Sequence, residues 1–307
     1  MTLTELKYVV AVAREKHFGR AAEACFVSQP TLSVAIKKLE EDLDVKIFER
    51  GTSEVSVTSL GEQIVRQAQQ VIEQAQAIRE IAKLGKDPVS GPLRRGVIYT
   101  IGPYLLPDLV KNAIERVPQM PLMLQENFTA KLLEMLRTGE LDCAIMAEPF
   151  PDTGLAVAPL YDEPFQAAVP VAHPFAQRQQ ITAEELKNET MLLLGTGHCF
   201  RDHVLEVCPE YARFASNAEG IRKSFEGSSL ETIKYMVASG MGVTVVPQLS
   251  VPAELQAHIR YVPFSAPVPT RRVVLAWRRT FPRYEAIAAL RNAIYACPLS
   301  GVTRLTD

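Results

Sequence analysis

Leu6, Val9, Val10 and Ala13 recur at helical spacing, which predicts a first amphipathic helix ending near Lys16. Phe18 to Cys25 predicts a short second helix, whose adjacent Ala21 and Ala22 are small enough for another helix to approach closely. Phe26-Val27 turns the chain. Ser28 is placed to cap a third helix, with Pro30 in its first turn, where no intrahelical donor is lost. On this third helix Leu32, Ile36, Leu39 and Leu43 form one predicted buried stripe, and the opposite face offers Gln29, Thr31, Ser33 and Lys37. Alternation over Val45–Arg50 and again over Val55–Thr58 predicts a strand hairpin around Gly51-Thr52-Ser53.

From Leu60 to Leu84 the only breaker is one early glycine. Ile64, Ala68, Val71, Ala75, Ile78 and Ala82 follow each other by fours and threes, a heptad seam. A single helix of this length cannot bury its own stripe, which predicts a homodimer through it. Gly85 to Pro92 then reads as a hinge. Beyond it, short apolar strands (96–99, 123–126, 143–146) alternate with helical stretches. The rhythm recurs from Phe165 to Val246, and Arg272–Trp277 with a last helix close the chain. This is the βαβ signature of a doubly wound sheet. The expected architecture is α/β with an all-α/winged N-terminal domain: residues 1–58 as a winged helix-turn-helix, 59–90 as linker helix and hinge, and 91–307 as a two-lobed α/β region. Lobe I would take about 91–163 and 268–307, lobe II about 164–267.

Composition adds mainly exclusions. With 307 residues, 47% hydrophobic and 22% charged, the chain is typical of a globular protein. No apolar run reaches the roughly 20 residues of a membrane helix and the first residues lack a secretory layout, so a cytoplasmic protein without membrane contact is expected. Five scattered cysteines argue against a disulfide framework. Cys25, Cys143 and Cys297 read as core residues, no Cys/His group has metal-site spacing, and no cofactor is implied. The net charge is −2, and residues 1–58 carry eight Lys/Arg against nine Asp/Glu. Bulk charge therefore gives no nucleic-acid footprint. Arrangement does: a short helix, a tight turn and a third helix with a polar outer face make a layout in which that helix enters the major groove of DNA. The candidate DNA contacts are Gln29, Pro30, Thr31, Ser33 and Lys37, with Arg50 and Thr52 of the hairpin placed to reach a backbone or minor groove.

The stretch FGRAAEACFVSQPTLSVAIKKLEEDLDVKIFERGTSEVSVTSLGE resembles the winged helix-turn-helix of LysR-type transcriptional regulators. Three departures are small: Asp44 where the family usually has Gly, Ile47 for Leu, and Val57 for the Leu before Thr58. The resemblance implies double-stranded promoter DNA as partner, a homodimer pairing into a homotetramer, contact with RNA polymerase, and a periplasmic-binding-protein-like effector region after the hinge.

The remaining feature is a cysteine pair nine positions apart, Cys199 and Cys208, in a segment that reads helical. An arbitrary pair of this kind is usually two small core residues. Here Gly195-Thr196-Gly197 breaks the preceding apolar run and leaves Cys199 in the first helical turn, where the helix dipole favours a thiolate. His198 and Arg201 stand beside it as candidate positive charges. Nine steps at about 1.5 Å put the thiols roughly 13 Å apart, whereas a disulfide needs α-carbons within about 7 Å. An intact bond and an intact helix therefore exclude each other. The segment from Gly197 to Cys208 is similar to the redox segment of the OxyR branch of the LysR family, regulators that sense hydrogen peroxide; Gly96–Pro107 and Thr129–Leu133 match that branch as well. The similarity implies Cys199 as peroxidatic and Cys208 as resolving thiol, with Thr100, Thr129, His198 and Asp202 holding hydrogen peroxide or a water. Two competing functions are a LysR-type regulator binding a small metabolite between its lobes, which leaves the cysteine pair unexplained, and a thiol peroxidase, which leaves the first third without purpose.

Overall fold

The computed structural model describes residues 1–50, 55–84, 89–151, 154–209, 211, 224–252 and 257–305. Its contacts divide the chain into two units, Met1–Lys86 and Asp87–Asp307. In the first, α1 (Leu3–Glu15) starts with a capping box. The Thr2 hydroxyl accepts from the Glu5 amide while Glu5 accepts from the Thr2 amide. α2 (Phe18–Ala24) is capped by His17, whose Nδ1 accepts from the Gly19 and Arg20 amides at 3.1 and 3.2 Å. Phe26, at φ 57°, makes the tight turn. α3 (Gln29–Leu43) begins at Ser28, whose hydroxyl accepts from the Thr31 amide. Leu32, Ile36 and Leu39 pack on Val9, Val12, Ala21 and Ala22.

Leu43, expected in that stripe, is instead exposed. α3 stops there and Asp44 turns the chain away in the left-handed region at φ 52°. That backbone explains why glycine suits this position in the family. Buried Glu40 takes over the end of the stripe. Its Oε1 accepts from the amides of Ile47 and Phe48 at 2.8 and 3.1 Å, and its Oε2 from Lys46 Nζ at 3.1 Å. The Val45 amide goes to the Glu40 carbonyl and the Ile47 amide to its carboxylate, so the hairpin begins at Phe48 rather than Val45: β1 (Phe48–Arg50) pairs antiparallel with β2 (Val55–Val57). Thr52 and the Arg50 side chain lie outside the described residues. Burial alone would raise the Glu40 pKa, but the two amides and Lys46 outweigh it and hold it below the ordinary carboxylate value. A group depressed in this way stabilises the fold fully above its unfolded pKa and loses that contribution as pH falls through the folded one. Glu40→Gln should therefore speed amide exchange at Ile47 and Phe48 at neutral pH, and the difference from wild type should shrink in acid.

α4 (Ser59–Leu84) divides the expected seam between two destinations. Ala68 is buried, and Ile64, Val65 and Ile72 pack against the core of their own unit, where α1 supplies the opposing surface. Val71 and Ile78 are exposed, Ile78 by 68%. The whole stripe is thus not available to a partner; its lower part is. Residues 85–88 of the expected hinge lie outside the described residues.

The second unit is built on an eight-stranded mixed sheet. β3 (Leu93–Ile98) lies parallel between β4 (Leu122–Asn127) and β5 (Cys143–Ala147), with α5 (Gly102–Arg116) and α6 (Thr129–Arg137) as crossovers. β6 (Leu155–Pro170) runs antiparallel to β11 (Thr270–Arg278) over its first part. Over its second it pairs with β9 (Thr244–Pro247) and β10 (Ile259–Pro263). β7 (Met191–Leu194) and β8 (Ser224–Gly227) pair in parallel; β12 (Thr303–Arg304) joins β6. α7 (Cys199–Val207), α8 (Leu230–Ala238) and α9 (Tyr284–Tyr295) complete the layers. Two separate cores result, one from Leu93 to Tyr161 and Val273 to Leu299, the other from Phe165 to Phe264. Among the described residues no helix is long and apolar enough to cross a membrane.

Candidate functional site

α7 sits where the two cores meet. Gly197, at φ 101°, turns the chain into it; a Cβ there would stand 3.3 Å from the Phe128 ring. Cys199 is the first helical residue and packs on the first core, whereas Phe200, Val204 and Cys208 belong to the second. Cys208, the residue that ends the helix, is 1% exposed. The helix thus keeps the two cysteines at its opposite ends, their α-carbons about 13 Å apart by its rise.

Beside Cys199 lies a cavity of about 10 Å³, room for one water-sized molecule. Its walls include Thr100, Thr129, His198 and Cys199. Thr100 follows β3 and Thr129 opens α6, so both come from carboxyl ends of parallel strands, where α/β sheets hold ligands. Tyr99, Phe128 and His198 close the mouth, their rings packed edge to face at 4.8 to 5.8 Å. Thr129 Oγ1 is buried without a well-formed partner and faces the Cys199 thiol. An orphaned hydroxyl, a thiol and a water-sized space make a site for a small hydroxylic molecule. Asp202 stands apart: it is exposed and is absent from the cavity wall.

The electrostatics differ from the expectation in a specific way. Burial raises the Cys199 pKa; the Thr129 hydroxyl and then the charge of Arg271 act against it, while Asp202 adds to the rise. His198 supplies no charge, since desolvation lowers its pKa and a hydrogen bond to the Ser228 backbone only partly offsets this. Arg201 is turned to the Leu194 carbonyl at 2.9 Å. The cation that matters is Arg271 on β11, 72 residues away and beyond any local pattern. Its Nη1 donates to Thr100 Oγ1 at 2.8 Å, its Nη2 to the Thr100 carbonyl at 2.9 Å, and its Cζ lies 5.1 Å from the centre of the Phe200 ring. Cys143 and Cys297 are buried, and Cys25 is half-buried at the end of α2.

In the first unit Gln29, Pro30, Thr31 and Lys37 are exposed along one side of α3, and Ser33 is half-buried. The Thr31 hydroxyl is 2.7 Å from that of Ser28, so it is shared with the helix cap.

Residues 3–62 match the bacterial regulatory helix-turn-helix model of the lysR family and residues 86–296 the LysR substrate-binding domain. The chain is 39% identical over 292 residues to the hydrogen peroxide-inducible genes activator of Pectobacterium carotovorum, covering 94% of this chain and 95% of that one. It is 38% identical to the DNA-binding transcriptional dual regulator OxyR of Escherichia coli, covering 94% of each. Among solved structures, a full-length OxyR of Pseudomonas aeruginosa with a cysteine-to-aspartate substitution is 50% identical, with a TM-score of 0.78 over 100% of this chain and 98% of that one. A Corynebacterium glutamicum OxyR with a cysteine-to-serine substitution and hydrogen peroxide bound is 33% identical, with a TM-score of 0.63 over 95% and 91%. The chain belongs to the LysR family of DNA-binding transcriptional regulators, in its OxyR branch.

Proposed function

We propose that the chain is a cytoplasmic, hydrogen-peroxide-responsive transcription regulator whose switch is a reversible Cys199–Cys208 disulfide. The observation that carries this is the water-sized cavity walled by Thr100, Thr129, His198 and the Cys199 thiol. Peroxide held there meets the Cys199 thiolate, which takes one oxygen; the O–O bond breaks, hydroxide leaves and a sulfenic acid remains. The Cys208 thiol then displaces water from that sulfur, forming the disulfide. The test is peptide mapping after one equivalent of peroxide: Cys199 and Cys208 joined in one disulfide supports the switch, and both still reduced leaves a metabolite-responsive regulator.

The DNA-binding unit would work on double-stranded promoter DNA as a homodimer through α4, two dimers pairing into a tetramer that contacts RNA polymerase. Base reading would fall to the exposed side of α3. Gln29→Ala or Ser33→Ala should each cost about 1–3 kcal/mol of discrimination at one base pair. Lys37→Ala should weaken every sequence alike and flatten the salt dependence. Competition between matched and single-mismatch duplexes at two salt concentrations separates the two effects.

A further inference from the structure

Arg271 does not act alone. It faces Glu163 across the β6–β11 ladder. The carboxylate Oε2 accepts from Arg271 Nε at 2.9 Å and lies 2.8 Å from Nη2. The other oxygen, Oε1, accepts from the Leu249 amide at 2.7 Å. The two side chains are 1% and 0% exposed. At such burial water and salt screen the pair little, so it is the carboxylate, not solvent, that offsets the guanidinium charge its neighbours feel. The same guanidinium grips Thr100 on the cavity wall and lies against Phe200, the residue after Cys199. The other charged or titratable groups near the thiol cannot replace it. Asp202 on α7 opposes a thiolate, Arg201 is held by a carbonyl, and burial lowers the pKa of both His198 and His203.

We propose that Glu163 is a positioning residue that masks the charge of Arg271 and thereby sets the peroxide threshold of Cys199. This rests on Cys199 being the reacting thiol. Only the thiolate attacks peroxide, so oxidation at a given dose follows the ionised fraction. An unmasked guanidinium against the cavity would keep Cys199 ionised and the sensor permanently alert. Glu163 anchors the guanidinium on Thr100 and cancels most of its field, and its bond to the Leu249 amide holds the carboxylate in place. The reacting group stays a protonated thiol at rest.

The experiment follows the rate of Cys199 alkylation by iodoacetamide, read by peptide mapping of the full-length chain across pH, in wild type, Glu163→Gln, Arg271→Gln and the double variant. Glu163→Gln should alkylate Cys199 about tenfold faster at pH 7, with the inflection moved down by about one unit. Arg271→Gln, which leaves Glu163 unmasked, should be slower than wild type. The double variant should fall back to near the wild-type rate. A carboxylate that merely braced the fold would leave the double variant as fast as Glu163→Gln, because both lack it. If Glu163→Gln does not fold, the comparison of Arg271→Gln with the double variant reads the same charge: removing the carboxylate must speed alkylation. An inflection in Glu163→Gln that stays put or rises, or a double variant as fast as that single one, overturns the proposal. Wild-type Cys199 left unoxidised by peroxide would instead defeat the sensing reading itself, whatever the alkylation series shows.

Discussion

Cys199→Ser should be blind to peroxide, holding one DNA footprint at every dose, while Cys208→Ser should react once and then fail to finish. The second variant keeps the cavity, Thr129 and Arg271 and so still forms the sulfenic acid. Without a resolving thiol that acid should proceed to sulfinic acid or take up glutathione, visible as mass additions on the Cys199 peptide. Wild type has a third route, and its cost can be stated. Joining the sulfurs means opening α7, which removes Phe200 and Val204 from the second core, each burial worth about 1.5–3 kcal/mol. It also draws Cys208 from a site that is 1% exposed. The oxidised form must therefore rebuild this region rather than adjust it, and the surface it offers a partner changes. A footprint that moves in Cys199→Ser, or a Cys208→Ser chain that remains unmodified by peroxide, would contradict the assignment of roles.

Glutamates at Val71 and Ile78 should dismantle the dimer. Both side chains are exposed on α4, beyond the stretch where Ile64, Ala68 and Ile72 serve their own unit. Four carboxylates facing each other across a two-fold axis would have to be desolvated together, a cost of several kcal/mol. Light scattering at micromolar concentration should report monomer. A two-half-site operator, with centres about 34 Å apart, should lose its joint occupancy while a single half-site still binds weakly. Ile64→Glu should behave differently, unfolding the first unit because it strikes the core around Ala68. A double variant that stays dimeric would place the interface elsewhere.

Much of this was legible because local chemistry announced it. Ser28 before Gln29-Pro30 fixed the start of α3, and Gly197 before His198-Cys199 fixed the start of α7. Thr100 after β3 and Thr129 opening α6 were legible through the family resemblance, and strand ends in a βαβ rhythm give their meeting at one edge a physical sense. What stayed hidden depends on distance or on context. Arg271 reaches Thr100 across 171 positions, and no periodicity links them. Glu40 reads as one more surface carboxylate of a charged helix until the amides of Ile47 and Phe48 arrive beneath it. The seam of α4 is the same string of residues whether α1 or another chain covers it, so the pattern cannot divide the stripe. The charge expected from His198 failed for a physical reason: the ring that closes the cavity is dried by doing so, and a dry imidazole gives up its proton.

The sixteen-residue strand β6 has a mechanical meaning. It is a spar through both lobes, bonded to β11 along one half and to β9 and β10 along the other. A jaw that closed on its ligand would have to flex this spar and break rungs on either side. A helix that melts at its own seam asks nothing of it. The scaffold is therefore stiff where a clamp would need to bend, so a chemical event at α7 is passed on as a change of shape there, with β6 and the strands bonded to it serving as the frame against which that change is felt.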